Sequence, residues 1–136
     1  MDQAGGFREQ PHTADWALLV WAPDLAGLLQ QAARGMYDLM HARVRPEAQA
    51  IYQFEIAAAD PETLLVMFLS ELLYFTQRDE VGFEEFEVSL AGNRVTAKVT
   101  GAPLEAIAKE IKAVTYHNLS IHPSPRGLEV RIVFDV

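Results

Sequence analysis

His12 and Asp15 stand three residues apart just before an apolar run, and the chain closes on Asp135 and Val136. An imidazole and a carboxylate at that spacing can orient one another or share a cation; the same tetrapeptide, His-Thr-Ala-Asp, can equally form a turn in which Asp15 bonds its own backbone. The Asp135 side chain and the carboxylate of Val136 lie one residue apart, so they repel unless a proton or a hard cation sits between them. Ca²⁺ and Mg²⁺ take oxygen ligands of this kind, and Asp15 would make a three-carboxyl site. A third polar group is Lys112 with Thr115, Tyr116 and His117. Strand alternation would put Tyr116 on the face of Val114, and Thr115 and His117 on the other; Lys112, ahead of the strand, could line the same surface as Thr115 and His117. A histidine so placed can be a ligand or simply a hydrogen-bonded strand residue. His41, after a helix end, and His122, before Pro123, suit capping or solvent-facing roles, and Glu84, Glu85 and Glu87 read as a solvated edge.

These groups need elements to hold them. Residues 16–22, WALLVWA, are rich in aromatic and β-branched side chains and stop at Pro23, which predicts a buried strand. Asp24 then occupies a helix N-cap position, and Leu25, Leu28, Leu29, Ala32, Ala33, Met36, Tyr37 and Met40 recur at helical spacing. Ile51, Phe54 and Ile56 mark a second strand. Asp60-Pro61 opens a second helix, whose stripe runs Leu64, Leu65, Phe68, Leu69, Leu72, Leu73 and Phe75. Both helices are expected to cover the same sheet. A hairpin follows around Gly92-Asn93, with Val95, Ala97 and Val99 facing in. A short helix from about Pro103 is expected to carry Leu104, Ile107, Ala108 and Ile111, and two last strands, 114–121 and 128–136, to flank a turn at 123–127. In the last strand Leu128, Val130, Ile132 and Phe134 should face inward, leaving Asp135 with Arg131 and Val133. The fold class is α+β: a mixed β-sheet system with two long amphipathic helices and one short one, ordered β-α-β-α-β-β-α-β-β. Residues 1–6 read as a flexible lead-in to a single domain over 7–136.

Composition narrows the chemistry. A chain of 136 residues suits one domain, and 50 % hydrophobic residues suffice for an ordinary core. There is no cysteine, which removes disulfides, thiolate metal sites and a cysteine nucleophile and favours a cytoplasmic address. Apolar runs such as residues 64–69 are far below the ~20 residues that span a bilayer, so no membrane role is expected. With 11 Lys plus Arg against 19 Asp plus Glu, net charge −8, the chain repels nucleic-acid phosphates and would meet RNA only through a basic partner. No phosphate-cradling loop, dinucleotide fingerprint, zincin pair or hydrolase elbow occurs, and no nucleophile can be nominated.

In order and spacing, four segments resemble the archease family: PHTADWALLVWAPDLAGLLQQAARGMYDLM at 11–40, FLSELLY at 68–74, KAVTYHNLSI at 112–121 and the closing FDV. The resemblance covers nearly the whole chain from His12. It implies a non-enzymatic accessory protein for an RtcB-type RNA ligase of tRNA splicing, one that promotes guanylylation of the ligase and sustains multiple turnover. It implies tRNA contact only through the ligase, a divalent ion, calcium or magnesium, held by Asp15, Asp135 and the Val136 carboxylate, and a partner-facing role for Lys112. His12, Thr115, Tyr116 and His117 would belong to the same activating surface. Trp16 departs from the family, which commonly has a smaller aliphatic residue there, and so does the proline-rich turn 122–126. Competing functions are a chaperone or modulator of RNA methyltransferases, and a stand-alone metal-dependent hydrolase using His12 or His117 as base.

Overall fold

The structure is a computed structural model that describes residues 5–10 and 16–136. Its elements run β1 (Gly6–Gln10), β2 (Trp16–Ala22), α1 (Leu25–Leu39), β3 (Arg43–Val44), β4 (Ala50–Ala57), α2 (Pro61–Asp79), β5 (Val81–Ala91), β6 (Arg94–Ala106), β7 (Ala113–Val114), β8 (His122–Ser124) and β9 (Gly127–Asp135). The predicted α+β class holds. Among the described residues every strand pairing is antiparallel, and the strands form two sheets. In one, β9 is flanked by β2 and then β1 on one side, and by β7 and β8 on the other. In the second, β6 is central, with β5 on one edge and β3 and β4 on the opposite edge.

The helices begin where the caps direct. Asp24 Oδ1 accepts from Gly27 N at 2.8 Å and Asp60 Oδ1 from Thr63 N at 2.8 Å, each satisfying an amide the first turn leaves unpaired. Helix α2 ends at Glu80, whose φ of 56° is left-handed and whose amide donates to Thr76 O at 2.9 Å. The β5–β6 hairpin turns at Gly92, φ 62°, a conformation that costs an L side chain about 1–2 kcal/mol.

Both helices touch both sheets rather than covering one. The Tyr37 ring of α1 meets Phe83 and Phe86 of β5 at 6.1 and 6.2 Å, whereas a Cβ at Gly35 would lie 2.4 Å from Leu18 Cδ2 of β2. In α2, Phe75 packs on Tyr52 at 4.6 Å and Phe68 on Phe54 at 5.9 Å, both of β4. Elsewhere on α2, Glu62 Oε2 accepts from Ile121 N at 2.9 Å, and Gln77 Nε2 donates to Ile111 O at 3.4 Å. A helix layer between two sheets must be apolar on more than one side, which is why Gln31 and Gly35 of α1 are buried as well as the Leu28, Leu29, Ala32, Ala33 and Met36 stripe. Tyr37, inside this core, bonds Thr76 Oγ1 at 2.7 Å, and burial raises its hydroxyl pKa above the ordinary tyrosine value. Among the described residues no buried side-chain polar atom lacks a partner.

Three further expectations are corrected. The short helix from Pro103 does not form: β6 continues to Ala106, with Pro103 opposite Val81 and Leu104 N donating to Glu80 O at 2.8 Å. Ladder bonds on both edges of β6 outweigh a weak helical period, and residues 107–112 are irregular. Residues 114–121 are not one strand. Pairing stops after Val114, Leu119 N donates to Tyr116 O at 3.1 Å, Asn118 takes φ 50°, and pairing resumes only at β8. Finally, Gly6 already belongs to β1, a strand in which Phe7 is the one large apolar residue; residues 1–4 lie outside the described part. No described helix is long and apolar enough to cross a membrane.

Candidate functional site

Two ladders fix the end of β9. On one side β2 runs antiparallel to it in unbroken register from Ala22 opposite Leu128 to Trp16 opposite Phe134. Beyond these bounds the chain continues to Asp15 before Trp16 and to Asp135 after Phe134. On the other side, Val114 stands opposite Phe134 and Ala113 opposite Asp135, and Lys112 N donates to Asp135 O at 2.7 Å. The predicted facing of β9 is observed: Val130, Ile132 and Phe134 are 0 % exposed while Asp135 is exposed. Val133 on the other face is buried as well.

Among the described residues, no hydrogen bond or ion pair engages the Asp135 carboxylate, so its oxygens remain free for a ligand. Val136 is half-buried against the core. His12 and Asp15 lie outside the described residues. Among those described, no three His, Cys, Asp or Glu side chains converge as a metal site, so the described part brings at most Asp135 and the Val136 carboxylate to the expected three donors.

The second predicted cluster is only partly assembled. Lys112 is exposed and its backbone is tied to β9. Thr115 turns inward: its amide and its hydroxyl both donate to Val133 O, at 3.1 and 2.9 Å, and the hydroxyl oxygen accepts from His117 N at 3.3 Å. Thr115 thus closes the turn rather than sharing an open face with His117. The His117 ring lies 3.3 Å from Asn118 Nδ2, and Tyr116 is 56 % exposed. His122 Nδ1 lies 3.1 Å from Ser120 O, an ordinary loop contact.

Lys109 was not singled out by the sequence. Its Nζ sits 4.7 Å above the Trp16 ring, a cation–π contact that pairs a lysine of the irregular segment 107–112 with the first residue of β2. Reading this segment as a helix hid the pairing. The signal available was the unusual aromatic at position 16, beside a polar tetrapeptide and with cations elsewhere in the chain.

The profile of the Archease protein family matches residues 7–136. An archease from Methanopyrus kandleri is 32 % identical over 123 residues, covering 85 % of this chain and 88 % of that one. An archease from Methanosarcina barkeri is 29 % identical over 134 residues, covering 92 % of each. Two solved structures share the fold. One is a crystal structure of an archease from Thermotoga maritima, described as a possible chaperone, with TM-score 0.70 and 21 % identity over 93 % of this chain and 96 % of that one. The other is the solution structure of protein 1598 of Methanobacterium thermoautotrophicum, with TM-score 0.69 and 22 % identity over 96 % and 99 %. With the family profile spanning nearly every residue from β1 to the end of β9, this chain belongs to the archease family.

Proposed function

We propose that this protein is a non-enzymatic, cytoplasmic activator of an RtcB-type RNA ligase, and that it works through a divalent-cation site at the junction of β2 and β9. The ligands would be Asp15, Asp135 and the carboxylate of Val136. The observation that carries the reading is the β2–β9 register, which sets the residue after Asp15 opposite the residue before Asp135. The donor set suits a hard cation, since it is all oxygen and the described carboxylate of Asp135 is exposed and unengaged. A bound divalent ion would supply local positive charge for phosphate oxygens of the partner's reactants. The chain's own residues do the rest. The Lys112 amide and the β7 ladder hold the Asp135 backbone, the β2 ladder holds Phe134 before it, and the Lys112 ammonium offers a second cation from the same edge.

Two results test this reading. Lys112→Ala should reduce ligase activation while changing stability by no more than about 0.5 kcal/mol, because the side chain is exposed and its structural bond is made by the backbone. Ligase–GMP formation and a thermal melt measure the two quantities, and an unfolded variant would make Lys112 structural. Extending the chain past Val136 with a glycine-serine tail replaces a carboxylate by an amide, so Ca²⁺ affinity measured by calorimetry should fall. Equal affinity in the extended protein contradicts a role for that carboxylate.

A further inference from the structure

A cavity of about 310 Å³ opens between the C-terminal ends of α1 and α2 and the chain that leaves β6. Its inner walls are apolar: Met40 and Ile111 are 1 % exposed and Leu73 4 %. Its rim carries Glu80, Glu105 and Glu110, all exposed, and no ion pair joins them to any other described residue.

The opening is built into the backbone. Residues 107–111 arch over the helix ends, held by Ala108 N and Lys109 N donating to Met40 O at 2.9 and 3.4 Å and by Gln77 Nε2 donating to Ile111 O at 3.4 Å. The left-handed turn at Glu80 closes the other side, where Glu80 O accepts from Leu104 N at 2.8 Å. These bonds fix the arch at its ends and leave the space beneath it open.

Volume and lining together select the occupant. Ligand cavities run from roughly 300 to 1,000 Å³, so this one has room for a single long side chain rather than a large cofactor. Apolar walls suit a methylene stem, and three exposed glutamates at the mouth suit a cationic head; an anionic group would be repelled, and a purely apolar one would gain nothing from them. Arginine fits better than lysine because its planar fork can pair two carboxylate oxygens at once. We propose that this cavity is the docking site for an arginine side chain carried by a basic segment of a partner protein.

The net charge of −8 would draw such a segment toward the molecule. Ile111 is followed by Lys112, whose amide binds Asp135 O, so a segment seated in the cavity lies beside the end of β9. Docking in this cavity would not require a cation at the end of β9.

The test titrates the whole protein with an acetylated decapeptide of alternating leucine and arginine, and with its citrulline twin, which keeps the shape and removes the charge. The arginine peptide should shift the methyl NMR signals of Met40 and Leu73, and the citrulline peptide should bind about tenfold more weakly or worse. The triple variant Glu80→Gln, Glu105→Gln, Glu110→Gln should weaken binding by about tenfold or more, while Glu84→Gln, Glu85→Gln, Glu87→Gln, which removes equal charge from β5, should change it by less than about twofold. All six glutamates are exposed, so both variants should fold. Equal losses in the two triple variants would reduce the effect to net charge and overturn the proposal, as would Met40 and Leu73 methyls that do not move.

Discussion

Asp135→Ala is expected to abolish stimulation of ligase guanylylation while leaving the melting temperature nearly unchanged. Asp135 is exposed, and its contacts to Lys112 and to the β7 ladder are made by its backbone, which alanine keeps. Exposed substitutions of this kind usually cost within about 0.5 kcal/mol. Removing the carboxylate, by contrast, deletes a formal charge and a coordination position together, and hard-cation affinity follows ligand charge closely enough to predict a loss of roughly tenfold or more. Asp15→Ala should give the same phenotype, since it would remove another of three carboxyl donors. Calcium calorimetry, ligase–GMP formation and a melt on the same preparations separate binding, activity and fold. Full stimulation by a folded variant that no longer binds calcium would shift the working surface to Lys112 and the turn at 115–117.

Gly101→Ala should have the largest effect on stability. A Cβ at Gly101 would lie 1.8 Å from Gly82 O, and 2.7 Å from both Gly82 C and Phe83 Cα. The close approach arises because β5 carries an irregularity between Phe83 and Glu85 directly opposite Gly101 and Thr100. All three obstructing atoms are backbone, so no rotamer change relieves the clash and the ladder itself must part. A cost of about 3 kcal/mol or more is expected, a large share of the ~5–15 kcal/mol that holds a domain folded. Gly92→Ala is the internal control. Nothing lies within 4 Å of its Cβ position, so its loss should be only the ~1–2 kcal/mol of a left-handed alanine. Urea unfolding of the two variants measures both, and near-equal losses would mean that the β5–β6 approach relaxes freely.

The legible parts of this fold were those in which one local signal dominated. Asp24 and the pair Asp60-Pro61 mark both helix starts because a cap is read from one or two residues. The 0 % exposure of Val130, Ile132 and Phe134 follows from period-two alternation in β9. The illegible parts depended on distant partners. Leu104, Ile107, Ala108 and Ile111 have helical spacing, yet the strand partners of Pro103 and Leu104 lie on β3 and at the start of β5, far away in sequence. Strand β1 has too little apolar alternation to be seen alone and exists because β2 offers it a free edge. At the candidate site, the sequence singled out Asp135 and Lys112 separately, and only the structure shows that the Lys112 amide donates to Asp135 O. The sequence misplaced Thr115, whose hydroxyl is spent on Val133 O, and it missed Lys109, whose contact with Trp16 only tertiary structure brings about.

The most direct measurement of ligase activation is ligase–GMP formed over time from GTP by an RtcB-type ligase, with and without this protein. Faster guanylylation is expected with the protein present, continued through repeated rounds of RNA joining, and lost when Asp135→Ala protein is supplied instead. Identical time courses with and without the wild-type protein would contradict the proposed role.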